Sequence, residues 1–208
     1  KQNGYTPPEK EVDPREAAAR IKGNSITLER IYVYKDEQGK PVALNLRYSP
    51  KTFRQRFAIV ENADTNRPDD ATQWSRKKPE GFQRPLYRLP ELIAAPIDEA
   101  VYFVEGEKDA DTLAEIGFVA VTTGGAMNKL EEWHKPFLKG RTVIIIPDND
   151  KPGFDYARNL KVSLRGIAAQ IGEIADDLKA ETGGKDISDH VQYWRDEEAT
   201  GNEALKEK

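Results

Sequence analysis

Three groups of acidic residues stand where carboxylates could act together. Glu105 closes the apolar run Val101–Val104, Gly106 after it permits a sharp turn, and Glu107, Lys108 and Asp109 follow. Asp148 and Asp150 close the run Thr142–Ile146, and a two-residue spacing in extended chain puts both side chains on one side. Asp186 and Asp189 follow Gly183-Gly184-Lys185. Carboxylates that converge on one edge repel each other unless a cation sits between them. Mg2+ suits that place, because it takes oxygen ligands and keeps waters for substrate phosphates. Taken singly, an acid of this kind reads as a solvated loop residue or a helix cap, and a first-turn acid such as Asp109 is favoured by the helix dipole.

The elements that must position these acids follow from the hydrophobic pattern. From Leu86 onward strands alternate with helices. The run 87–96 gives a short helix over Glu91 to Ala95, VYFVEG a buried strand, EKDADTLAEIG a helix ending at Gly117, and FVAVTT a strand. NKLEEWHKPFL reads as a helix, RTVIIIPDND as a strand, KPGFDYARNLKVSLRG as a helix, IAAQIGEI as a strand, and GGKDISDHVQYWRDE as a loop entering a last helix. Such alternation implies right-handed crossovers and a mainly parallel sheet, and ligands of open α/β sheets bind beyond the carboxyl ends of the strands. Upstream, residues 25–85 read as a small antiparallel β-rich basic module. It comprises a hairpin around Asp36-Glu37-Gln38-Gly39, a third strand KTFRQRFAIV, and a polar loop over 61–85 pinned by Trp74 and Phe82. Residues 1–24, with Pro7-Pro8, read as a linker or arm, which leaves 86–208 as the α/β catalytic domain.

Composition narrows the function classes. The 208 residues carry 32 basic and 36 acidic side chains, a formal charge of −4, so any polyanion must meet a local patch. Cysteine is absent and only His134 and His190 are present, which excludes disulfides, thiol catalysis, zinc ribbons and histidine-rich metal sites. No apolar run nears the roughly 18–20 residues of a membrane span, and no signal-peptide pattern opens the chain, so a soluble cytoplasmic protein is expected. The chain begins at Lys1, as expected of a segment of something longer.

VEGEKDADTL, TTGGAMNK, VIIIPDNDKPG and GGKDISDHV together resemble the motif set of the TOPRIM domain, and in particular primases of phage, plasmid and primase–helicase type. The resemblance covers roughly residues 84–195, and RPLYRLPELIAA resembles the lead-in of those proteins. It implies a TOPRIM-type parallel sheet flanked by helices. By position, Glu105 takes the role of general acid/base or metal holder, while Asp148 and Asp150 bind Mg2+ or Mn2+. Asp109 matches the acid that ends the Glu-Gly-x-x-Asp segment, and Asp186 a further metal-site aspartate. Asp189 is displaced by one residue from the bacterial pattern. The resemblance further implies a DNA primase core that joins ribonucleoside triphosphates on a single-stranded DNA template, in a prokaryotic or phage-infected cell, alongside a replicative helicase, fused or separate. A zinc-binding module and a Walker A motif, usual in such proteins, are not in this sequence.

Two basic clusters suggest a surface for phosphates: Arg47, Lys51, Arg54 and Arg56 on and after the second hairpin strand, and a second including Arg84 and Arg88. Tyr32, Tyr34 and Tyr48 beside them are either stacking platforms for bases or the core side of a hairpin. Lys108 and Lys185 are placed to contact nucleotide phosphates or simply to face solvent. Gly124-Gly125 bring backbone N–H groups near a phosphate or make a tight turn, without Walker spacing. Two other functions share these features: a TOPRIM nuclease using the same metal, and a non-catalytic nucleic-acid-binding module. The primase reading requires that folding gather Glu105, Asp148 and Asp150 into one divalent-ion pocket, with no lysine filling it.

Overall fold

The computed structural model describes residues 26–125, 127–174 and 184–199; the expected arm over 1–24 lies outside them. The described residues form two compact units, one from those up to Val33 with Lys40–Phe82, the other from Tyr34–Gly39 with those from Gln83 onward.

A four-stranded sheet runs in the order β1 (Thr27–Lys35), β2 (Pro41–Ser49), β3 (Thr52–Ala58) and β4 (Trp74–Ser75), all of it in the first unit except the last two residues of β1. The turn between β1 and β2 is closed by the Gly39 N–H donating to the Asp36 carbonyl at 3.0 Å. β2 and β3 run antiparallel, with Leu46 opposite Arg54 and Leu44 opposite Arg56. Leu44, Leu46 and Tyr48 lie two residues apart, so one face of β2 buries them with Ala63 and Trp74. Full burial of such a side chain contributes about 1.5–3 kcal/mol. Trp74 pins the polar loop as expected: its indole N–H donates to the Asp64 carbonyl at 2.9 Å, and its backbone makes the short strand β4. Phe82 meets Phe57 edge-on with ring centres 5.1 Å apart.

In the second unit α1 (Leu89–Ala94), β5 (Val101–Val104), α2 (Glu107–Glu115), β6 (Val119–Val121), α3 (Lys135–Leu138), β7 (Thr142–Ile146), α4 (Lys151–Leu164), β8 (Gln170–Glu173) and α5 (Ile187–Ala199) follow in order. The sheet runs β6-β5-β7-β8 and every pairing is parallel, the TOPRIM-type α/β arrangement expected. Val101, Phe103, Val143 and Ile145 bury the sheet against Leu89 and Leu92 of α1 and Tyr156, Leu160 and Leu164 of α4. Arg141, itself buried, donates to the carbonyls of Leu92, Ala95, Pro96 and Phe137 and so satisfies the end of α1.

The sequence pattern overextends one element. Only Glu132–His134 and Lys135–Leu138 of the run 128–138 are helical, because Glu131 caps the turn there: its N–H donates to His134 Nδ1 at 3.1 Å. α1 in turn starts two residues before its expected first residue, at Leu89.

Candidate functional site

Parallel pairing sets Val104 level with Ile146, so Glu105 and Asp148 leave adjacent strand ends on the same edge. That edge is where the topology concentrates the acids. Asp148 leads into α4, whose first turn is capped by Asp150: its Oδ1 accepts the Gly153 N–H at 2.9 Å. Gly153 cannot be replaced without a shift, since a Cβ there would lie 2.3 Å from the Asp148 carbonyl oxygen. Asp186 caps α5 in the same manner, accepting the Asp189 N–H at 2.8 Å, while Asp189 accepts the Lys185 N–H at 3.0 Å. Asp109 in the first turn of α2 accepts both the N–H and, at 2.5 Å, the hydroxyl of Ser188. These hydrogen bonds fasten the starts of α2 and α5 together.

Asp109, Asp148 and Asp186 lie within electrostatic reach of one another. Burial, reinforced by the charges of Asp186 and Asp148, pushes the Asp109 carboxyl up to about 7. Burial also raises Asp148, with Asp186 and Asp150 adding to the effect and Lys185 opposing it. Asp150 moves the other way, lowered by the Gly153 N–H and by Lys185.

Two ammonium groups stand among these acids. Lys185 Nζ lies 3.0 Å from Asp150 Oδ2 and 3.4 Å from Asp148 Oδ2. Lys108 Nζ lies 3.4 Å from Asp186 Oδ2 and 3.6 Å from Asp189 Oδ1. Glu105 is set differently. Its carbonyl accepts the Thr122 hydroxyl at 2.6 Å and the Gly125 N–H at 2.8 Å, and burial, with the Glu105 charge adding to it, raises the Tyr156 phenol. Among the described residues no three carboxylate or imidazole groups converge as a metal-ligand set. The expectation that no lysine would stand between Asp148 and Asp150 is corrected: Lys185 lies there. Lys185 bridges the two aspartates, while the charges of Asp186 and Asp148 act on Asp109. The donor chemistry still fits Mg2+ or Mn2+, being all hard carboxylate oxygen under mutual repulsion. Closure on one ion requires Lys185 to give way.

The Gly124-Gly125 turn spends its amides internally: Gly124 N–H donates to Thr122 Oγ1 at 2.9 Å and Gly125 N–H to Glu105. It is a tight turn rather than a phosphate cradle. Gly124 has φ +87°, and a Cβ there would sit 2.2 Å from the Tyr34 hydroxyl. That hydroxyl donates to Glu107 Oε1 at 2.7 Å, and burial followed by the Glu107 charge raises the Tyr34 phenol well above its usual range. Glu107 and Asp111 are buried acids that the motif reading passed over. Asp111 Oδ1 accepts Tyr87 OH at 2.9 Å and Arg88 Nη1 at 3.0 Å. The available signal was their i, i+4 spacing, which puts two acids on one side of α2.

The basic residues separate into two kinds. Arg56 is 3% exposed and held by the Pro68 and Gln55 carbonyls and Asp69, so it clamps the polar loop and leaves the phosphate-binding set. Arg88 is tied to Asp111 and Glu91 while its backbone holds a left-handed φ of 63° at the start of α1. Arg47 pairs with Glu29, Arg54 lies over the Tyr48 ring at 5.0 Å, and Arg84 over the Tyr34 ring at 4.8 Å. Lys51 is exposed. Tyr32, Tyr34 and Tyr48 are all buried, so of the two readings of these rings the core one holds. Phe53, 42% exposed, is the aromatic of β3 that faces solvent.

The parallel sheet with acids at its strand ends, preceded by an antiparallel sheet, gives a fold similar to that of DNA primase catalytic cores. Comparison with solved structures agrees. The DnaG catalytic core matches with a TM-score of 0.53 and 19% identity, over 93% of this chain and 60% of that one. A DnaG primase catalytic domain bound to single-stranded DNA matches with a TM-score of 0.50 and 18% identity, over 93% and 61%. A DNA primase domain from Pseudomonas aeruginosa matches with a TM-score of 0.50 and 18% identity, over 85% and 50%. This chain thus spans between half and about three fifths of those structures. No protein-family model and no curated protein matches it. No described helix is long and apolar enough to cross a membrane.

Proposed function

We propose that this chain is the catalytic core of a DNA primase, joining ribonucleoside triphosphates on a single-stranded DNA template with Mg2+ or Mn2+. The observation that carries the reading is the coincidence of a fold similar to primase catalytic cores with Glu105 and Asp148 leaving adjacent strand ends, where the charges of Asp148 and Asp186 act on Asp109. Phosphoryl transfer needs positioning and charge neutralisation more than covalent help from protein. Asp148, Asp186 and Asp109 would hold the ion, with Asp150 at the rim. A bound Mg2+ would neutralise charge developing on the transferred phosphate and activate the attacking 3′-hydroxyl. Glu105, one strand over, takes the proton from that hydroxyl. Lys108 and Lys185 meet the triphosphate, and Lys51, Arg54 and Arg47 guide the template. A helicase, fused or separate, is the expected partner in the longer protein.

The test is incubation with single-stranded DNA, ribonucleotides and Mg2+ or Mn2+, scored for new labelled oligomers and for template cutting. Oligomers that vanish in Asp148→Asn and Glu105→Gln support the reading. Cutting without synthesis replaces it with a nuclease. The ion pairs of Lys108 and Lys185 with the acids favour a second reading, a binding module without turnover, for which neither product forms although DNA is bound.

A further inference from the structure

Lys185 and a divalent cation want the same oxygens. The ammonium lies 3.0 Å from Asp150 Oδ2 and 3.4 Å from Asp148 Oδ2, and so contacts both carboxylates of the strand-end turn. Mg2+ bonds oxygen at about 2.0–2.1 Å, which leaves no room for an ammonium between the same atoms. The main chain of Lys185 is fixed on both sides: its carbonyl accepts the Asn149 N–H at 2.8 Å and its N–H donates to Asp189. Its side chain is 58% exposed and swings on four flexible carbons, so it can leave the acids without dragging α5 or the β7 turn.

We infer that Lys185 is a displaceable gate on the metal site: it holds Asp148 and Asp150 as a pair, is expelled when a divalent cation enters, and then turns its ammonium toward the nucleotide phosphates. The ion carries twice the charge of the group it expels, and the expelled charge stays tethered at the rim of the site. Loading the metal therefore also arms a phosphate contact. Lys108 stands in the same relation to Asp186 and Asp189. This inference rests on the metal reading proposed above.

Amine labelling of the intact chain tests it without any activity measurement. The protein is treated briefly with an N-hydroxysuccinimide acetate ester across a MnCl2 titration, and acetylation of each lysine is read by peptide mass spectrometry. Binding of Mn2+ is followed in parallel by loss of the free-ion electron paramagnetic resonance signal. Acetylation of Lys185 is expected to rise roughly two- to fivefold, the change that loss of an exposed ion pair allows, with the midpoint of Mn2+ binding. Lys161, paired with Glu173 elsewhere on the same unit, is expected to stay constant. Mn2+ bound while Lys185 labelling holds steady or falls overturns the gate and leaves the metal reading standing. No Mn2+ binding overturns the metal reading itself, and the gate with it.

Discussion

Replacing Gly124 by Ala probes the join between the glycine turn and the buried acid of α2. The new methyl would lie 2.2 Å from the Tyr34 hydroxyl and 3.2 Å from Glu107 Oε1, the two ends of one 2.7 Å hydrogen bond. Tyr34 is fully buried and cannot step aside without leaving its donor role. Two costs combine. A non-glycine residue at φ +87° carries about 1–2 kcal/mol of backbone strain. Loss of the hydrogen bond to a buried carboxylate costs a further ~1.5–3 kcal/mol. Gly124→Ala is thus expected to destabilise by about 2.5–5 kcal/mol, a fall in Tm of roughly 5–20 °C for a chain of this size. Tyr34→Phe removes the hydroxyl and the hydrogen bond together, so in that background only the strain of about 1–2 kcal/mol remains to be added. The double-mutant cycle, measured by thermal and urea unfolding, should show a favourable coupling of about 1.5–3 kcal/mol. Simple additivity of the two substitutions would refute the geometry, because each would then act without the other.

Other expectations follow from single contacts. Arg54→Ala should weaken single-strand binding and flatten its salt dependence by roughly 0.7 per lost phosphate contact, whereas Arg56→Met should leave the slope alone and lower stability by about 1–3 kcal/mol through the exposed ends of its broken clamp. A slope change in Arg56→Met instead would return that residue to the DNA surface. His134 is buried between the Glu131 N–H, which its Nδ1 accepts, and the Arg84 carbonyl, to which its Nε2 donates, so it is held neutral, with burial lowering its pKa below 6.5. The unfolded chain then binds the extra proton first. His134 therefore contributes stability in full above about pH 6.5 and loses it as the pH falls below that value. Denaturant midpoints compared between pH 7.5 and 5.5 should fall more for the wild type than for His134→Gln, and equal slopes in the two proteins would exclude the mechanism.

Much of the architecture was written in local pattern. Runs of Val, Ile and Phe separated by helix-length amphipathic stretches determined a parallel sheet, and the acids at 105, 148 and 150 were already placed at strand ends by their position after those runs. Trp74 and Phe82 could be named as anchors because large aromatics in a polar loop have few other uses. Which charges meet was decided only in three dimensions. Tyr34 reaches Glu107 across 73 residues of chain, Asp109 reaches Ser188 across 79, and Lys185 closes on Asp148 and Asp150 from another turn altogether. Arg54 and Arg56 illustrate the division most plainly: the same residue type, two positions apart on one strand, yet one lies over a tyrosine ring and the other is sealed beneath Pro68 and Asp69. Periodicity sets which side of a strand a residue occupies, but its partner is set by the packing of elements distant in sequence. Here that packing delivered two lysines to the acids that the strand ends had collected.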